Sequence, residues 1–120
     1  MLVRGIRGAT TVEEDSAAAV VKATMELLQE MVERNGIELD KIAAVIFTAT
    51  PDICSEFPAV AARRMGWNSV PLLCFQEMEV KGAIERCIRI LMLVNTALSQ
   101  EEIRHVYLRR AGILRKDLAE

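Results

Sequence analysis

The segment NGIELDKIAAVIFTATPD, residues 35 to 52, decides the fold. Asn35 and Gly36 both tolerate the left-handed conformation, so the pair is a natural helix stop. Ile42 to Ala49 then runs apolar without a break, the pattern of a buried strand. Thr50-Pro51-Asp52 breaks that run. A helix followed by a short link and a buried strand makes a crossover connection, the unit from which mixed α/β layers are built.

Upstream, Leu2 to Thr10 reads as a strand, with Val3, Gly5, Arg7 and Ala9 on one face by the period of two. Thr11 and Glu14 have capping-box spacing, and Asp15 and Ser16 are further N-cap candidates. The long helix that follows carries the stripe Val20, Ala23, Leu27, Met31 and Arg34, widened by Val21, Thr24, Leu28 and Val32. Downstream, Phe57 to Met65 reads as a short helix with Pro58 in its first turn. Val70 to Cys74 is a third strand, Gly82 to Arg86 a turn, and Cys87 to Thr96 a fourth strand rich in Ile, Leu and Val. Ser99 to Glu102 is a tight turn or single helical turn. Arg104 to Arg110 is a fifth strand, and a tail begins at about residue 113. The order β-α-β-α-β-β-β implies an α+β domain with a mixed five-stranded sheet and two main helices, its last strands antiparallel.

At 120 residues the chain is one domain, large enough for a core without covalent staples. Apolar residues make up 52% and aromatics only 4%, so the core is aliphatic. That surplus of apolar residues in so small a chain favours a homo-oligomer. A formal net charge of −2 argues against a general nucleic-acid binder. Cys54, Cys74 and Cys87 form no CxxC and are joined by one histidine, which speaks against a disulfide framework or a zinc site. No signal-peptide pattern and no run of about 18 apolar residues is present, so no membrane partner is expected and the cytoplasm is the default location.

Charges break the apolar pattern at a few places. Arg7 shares a face with Val3 and Ala9, and Arg89 shares one with Cys87, Leu91 and Leu93. If those faces are buried, each guanidinium needs an anionic partner; otherwise each is a strand-end arginine reaching solvent. Arg63 on the short helix and Arg115 in the tail add to the set. Glu77, in CFQEMEV (residues 74 to 80), is either a solvated turn acid or part of a ligand site at a strand end, and Glu79 fits the solvated description. Cys74 fits a small buried hydrophobe better than a nucleophile, with no histidine near it in sequence. Tyr107 alternates with His105 and Arg109 on a polar strand face and could offer its hydroxyl to a ligand. Guanidinium groups, an acid and a phenol make an anion-binding inventory, without a nucleophile–base pair or a metal set.

The motifs RGIRGATTVEED, FTATPD, EFPAVAAR, VPLLCFQEMEV, CIRI with NT, and IRHVYLR with LRKDL resemble chorismate mutase of the small, trimeric, mixed α/β class. The likeness runs from about Val3 to Leu118. It implies a trimeric pseudo-α/β-barrel with active sites between subunits, and conversion of chorismate to prephenate, on the route to phenylalanine and tyrosine, without a cofactor or metal. Carried over by motif, Arg7 binds a substrate carboxylate with Tyr107 beside it. Arg89 donates to the ether oxygen, and Glu77 accepts from the ring hydroxyl, with Cys74 adjacent through its backbone. Phe57 and Arg63 line the site from a neighbouring subunit, and Leu114 and Arg115 close it from a mobile tail. In that tail Lys116 stands where the family often has proline. Two further readings of the inventory are an imine deaminase-like enzyme on a similar trimeric scaffold and a non-catalytic trimer that binds a small carboxylic acid.

Overall fold

The computed structural model describes residues 1–114. Ten residues, Leu2–Thr11, form β1. Helix α1 spans Ala17–Asn35, and the buried run Ile42–Ala49 is β2. Helix α2 is Ala59–Arg64. Strands β3, Leu72–Gln76, and β4, Cys87–Thr96, follow, and β5 is only Val106–Tyr107. The sheet order is β3-β2-β4-β1-β5. β4 runs antiparallel to both β1 and β2, while β3 pairs parallel with β2 and β5 parallel with β1. The mixed five-stranded sheet with two helices is therefore present. The expected antiparallel pairing of the last strands holds for β4 and fails for β5, whose partner is the first strand of the chain.

Both helices cover one face of the sheet. Ile6 from β1, Val45 and Phe47 from β2, and Ile90, Met92 and Val94 from β4 join Leu27, Leu28 and Met31 of α1 and Ala61 and Ala62 of α2 in one core. Gly8 is glycine because α1 lies almost on the strand there. A Cβ at that position would come 2.4 Å from Met31 Sδ and 3.1 Å from Leu27 Cδ1, and both side chains are fully buried. The helix begins at Ser16, whose hydroxyl accepts from Ala19 N–H. It ends at Gly36, left-handed at φ 59°. Thr11 and Glu14, which have capping-box spacing, play no such part: Thr11 belongs to β1 and its hydroxyl accepts from Arg110 N–H. Arg34, expected on the apolar stripe, faces solvent and pairs with Glu30 at 2.7 Å.

Two strands depart from their expected bounds for local reasons. β3 starts two residues late, at Leu72, because Pro71 has no N–H to give; its carbonyl still accepts from Val45 N–H at 2.9 Å. β5 is short because Asn35 captures the backbone of Arg104. The buried Asn35 amide donates to Arg104 O at 2.9 Å and to Met31 O at 2.8 Å, and its oxygen accepts from Arg104 N–H at 2.7 Å. At the other end Arg109 takes φ 53° and a turn of 3-10 helix, Arg109–Ile113, replaces the strand.

Asn35 thus closes α1 and fastens the last segment of the chain with one side chain. Truncating it strands two carbonyls and an N–H. Asn35→Ala should lower the unfolding free energy by about 2 kcal/mol or more, measured by urea titration. Asn35→Asp should not rescue it, since a carboxylate cannot donate to the two carbonyls.

Candidate active site

Among the described residues no α-helix lies over the second face of the sheet; only the 3-10 turn Arg109–Ile113 packs on its edge, with Ala111 buried against Ala9 and Cys87. Strand register lines up its side chains in rows. Phe75, Thr48, Arg89, Ala9 and Tyr107 lie side by side across the five strands, and Leu73, Ile46, Leu91 and Arg7 form the next row. Arg7 and Arg89 are therefore one row apart on adjacent strands and project from the same face. Between them lies a cavity of about 350 Å³, a volume that suits a small ligand. Gly8, Ala9, Ile46, Ile90 and Leu91 give it an apolar floor. Arg7, Thr48, Arg89 and Tyr107 supply its polar groups, and Leu114 closes one side.

Arg89 has a buried root and an open tip. Its side chain is 42% exposed, yet Nε is buried and has no hydrogen-bond partner among the described residues. The Glu77 carboxylate stands 3.6 Å from that nitrogen, an ion-pair separation too long for a good hydrogen bond. Glu77 is itself held twice. Its N–H donates to Ala49 O at 2.9 Å, so the chain continues pairing with β2 past the end of β3. Its Oε2 accepts from the Thr48 hydroxyl at 2.5 Å. Glu77 is thus a fixed, three-quarters buried carboxylate beside the cavity, whereas Glu79 is exposed. On the other side, Arg7 N–H donates to His105 Nδ1 at 2.9 Å, so a ring takes the place of a backbone partner where β5 is too short to provide one.

Not every expected residue gathers here. The Cys74 side chain points to the opposite face, since its register partner Phe47 is fully buried in the core. Burial pushes its thiol above the usual range, opposed by a hydrogen bond with the Ala59 backbone and by the charge of Arg63. Phe57, 66% exposed, and Arg63, also exposed, do not line the cavity of their own chain. Arg115 lies outside the described residues. Thr48 was not expected; its only signal in the sequence is a hydroxyl inside an otherwise apolar run. Among the described residues no group of three or more His, Cys, Asp or Glu side chains could hold a metal ion, and no helix is long and apolar enough to cross a membrane.

Comparison with known proteins decides the family. The family model described as chorismate mutase type I matches residues 3–118. The chain belongs to the type I chorismate mutases. It is 55% identical to chorismate mutase AroH of Thermus thermophilus over 118 residues, covering 98% of this chain and 97% of that one. It is 44% identical to chorismate mutase AroH of Bacillus subtilis (strain 168) over 120 residues, covering 99% and 94%. Among solved structures, the chorismate mutase of Clostridium thermocellum superimposes with a TM-score of 0.90 at 50% identity, covering 91% of this chain and 97% of that one. Family membership leaves the deaminase and pure binding readings without support.

None of the three thiols is poised as a nucleophile. Burial raises Cys87 as it does Cys74, with the charge of Arg89 working against it. Cys54 is exposed, but its hydrogen bond to the Asp15 carboxylate raises it, and the same anion opposes thiolate formation. Asp15 in turn is held down at about 2 by Ser55 and the Cys54 backbone. Native protein should therefore react slowly with a thiol-specific alkylating agent, and at Cys54 first. Asp15→Asn should speed that reaction severalfold at pH 8, followed by mass spectrometry. Cys74→Ala should leave chorismate turnover within about threefold of normal, because no acyl or proton transfer requires a thiol.

Proposed function

We propose that this cavity is where the chain, as a type I chorismate mutase, converts chorismate to prephenate. One observation carries the assignment: two arginines from adjacent central strands converge with Tyr107 over an apolar floor, with the fixed Glu77 carboxylate beside them. The rearrangement is unimolecular and pericyclic. It needs the substrate held in a folded conformation, with charge placed where the transition state develops it. Arg7 takes a substrate carboxylate, with Tyr107 next to it. The apolar floor holds the ring and excludes water, which strengthens every charge interaction within.

Arg89 supplies the electrostatic part. As the C–O bond breaks, negative charge grows on the ether oxygen, and a guanidinium already in place stabilises that charge more than the ground state. Its exposed tip leaves the terminal guanidinium nitrogens available to the substrate, while Nε stays on the Glu77 side. Glu77 accepts from the ring hydroxyl with the oxygen that Thr48 leaves available, and its negative charge stabilises positive charge on the ring. Cys74 adjoins this pair through its backbone. Leu114, with Arg115 beyond it, covers the substrate.

The site is completed by other copies of the chain. The helix-free face exposes Val3, Leu73, Phe75 and Leu91 between 38% and 56%, more continuous apolar surface than a small monomer carries without a partner. Phe57 and Arg63, which do not reach their own chain's cavity, serve that of a neighbour. A homotrimer closing into a pseudo-α/β-barrel satisfies both observations. Three free cysteines suit the cytoplasm. Light scattering should report three chains of 13.4 kDa per particle, and an active monomer would overturn the shared site.

Chorismate depletion followed by absorbance, with no cofactor added, tests the activity itself. Arg89→Ala should reduce turnover about a hundred- to a thousandfold or more, and Arg89→Lys should recover part of it. Citrulline at position 89 keeps shape and donors but not charge, so the variant should bind substrate and turn over poorly. Near-normal turnover there would leave orientation alone as the source of catalysis. Glu77→Gln should be milder than Glu77→Ala, since an amide oxygen still accepts a hydrogen bond.

A further inference from the structure

Arg89 and Glu77 stand on strands that do not touch. β2 lies between β3 and β4, so their separation is set by how each is fastened to the end of β2. On one side Glu77 is held by Ala49 and Thr48. On the other, strand pairing ends at Ala49↔Ile88, one residue short of the Thr50–Cys87 pair and just before Arg89 in the ladder.

Beyond that point the ladder is continued by side chains. Thr50 N–H still donates to Cys87 O at 3.0 Å. Antiparallel pairing would have Cys87 N–H donate back to Thr50 O. That carbonyl is already taken: the turn Thr50-Pro51-Asp52-Ile53 uses it to accept from Ile53 N–H at 3.0 Å. Cys87 N–H turns instead to the Thr50 hydroxyl, at 2.9 Å. The hydroxyl itself donates a hydrogen bond to Asp52 Oδ1, at 2.5 Å. The Asp52 carboxylate then accepts from Arg86 N–H with both oxygens, at 3.1 and 2.9 Å. Arg86 sits at φ 46°, where a residue with a side chain is strained. The bonds to Asp52, with the reciprocal pair of Arg86 Nε to Val12 O and Val12 N–H to Arg86 O, hold it there.

We infer that Thr50 and Asp52 are positioning residues for the reaction: they start β4 in register and so set the place of the Arg89 guanidinium against the Glu77 carboxylate. The inference rests on the reading of Arg89 and Glu77 given above. Neither Thr50 nor Asp52 lines the cavity. They act through Cys87, two residues before Arg89 on the same strand. A small displacement is sufficient, since a shift of about 1 Å in a catalytic group can cost on the order of a hundredfold in rate. Arg7 lies opposite Leu91, four residues along β4 from Cys87, and keeps its hold on the substrate, so turnover suffers and substrate capture does not.

The experiment compares steady-state kinetics with chorismate for Thr50→Val, Thr50→Ser, Asp52→Ala, Arg89→Ala and Ile42→Val, each with its thermal midpoint. Thr50→Val keeps the shape and removes the hydroxyl; Thr50→Ser keeps the hydroxyl and removes a methyl. Ile42→Val perturbs the opposite end of β2 and serves as the purely structural control. The expected result is a fall in kcat of about ten- to a hundredfold for Thr50→Val and Asp52→Ala, KM within about twofold, kcat restored by Thr50→Ser, and normal kcat in Ile42→Val despite a lower midpoint. Unchanged kcat in Thr50→Val and Asp52→Ala, with Arg89→Ala collapsed, overturns the positioning role and spares the reading of Arg89. A loss that Thr50→Ser does not restore, or that Ile42→Val shares, overturns it as general loosening. Normal turnover in Arg89→Ala overturns both.

Discussion

The structure depends on a sheet that α-helices cover on one face only. Along β4 the period of two sends Ile88, Ile90, Met92 and Val94 into the helix-covered core and Cys87, Arg89, Leu91 and Leu93 to the other side. A slip of one residue would drive the Arg89 guanidinium into an aliphatic interior and expose four core side chains, so burial itself fixes the register. β1 and β2, paired to β4 on either edge, inherit that sorting and bring Arg7 and Thr48 to the same side. The functional face is thus the remainder left once the hydrophobic face has been chosen.

Such a face suits a reaction that needs arrangement and charge instead of proton or group transfer. A sheet is a rigid platform, and rows of side chains across it have fixed spacing, which favours preorganisation over induced movement. The apolar floor makes the field of each guanidinium felt by the ligand instead of being absorbed by water. The Cys87 thiol is a packing atom, as is the half-buried Cys74 thiol on the opposite face, and burial raises both so that they stay protonated.

Much of this was legible in the sequence where periodicity and punctuation agree. The bounds of β2 and β4 follow from runs rich in Ile, Leu, Val and Ala, and the end of α1 follows from Asn35-Gly36. Arg7 and Arg89 stand out because alternation puts a charge where only apolar residues fit. What escaped was set by hydrogen bonds between distant segments. Pro71 marks the late start of β3 in the sequence itself, but nothing local says that Asn35 takes both backbone groups of Arg104 and thereby shortens β5. The roles of Thr48 and Thr50 are invisible for the same reason, since a hydroxyl in an apolar run has no meaning until its partner 29 or 37 residues away is known. Cys74 was expected beside the site through its backbone, and alternation sends its side chain to the other face.

The shortness of β5 gives the molecule an uneven resistance to opening. β1 shares a ladder along its ten residues with β4, whereas the last segment has two residues of strand, and its further ties include the single side chains Asn35 on Arg104, His105 on Arg7, Gln100 on Gly5 and Thr11 on Arg110 beside the backbone bond of Leu108 N–H to Ala9 O. Isolated ties lack the mutual support of ladder bonds, so an edge with few ladder pairs is the one where local opening costs least. Tyr107 and Leu114 ride on it. Opening at this edge would move Tyr107 and Leu114 off the cavity while the β1–β4 ladder that carries Arg7 and Arg89 stays paired, so access and rigidity of the charged platform need not compete.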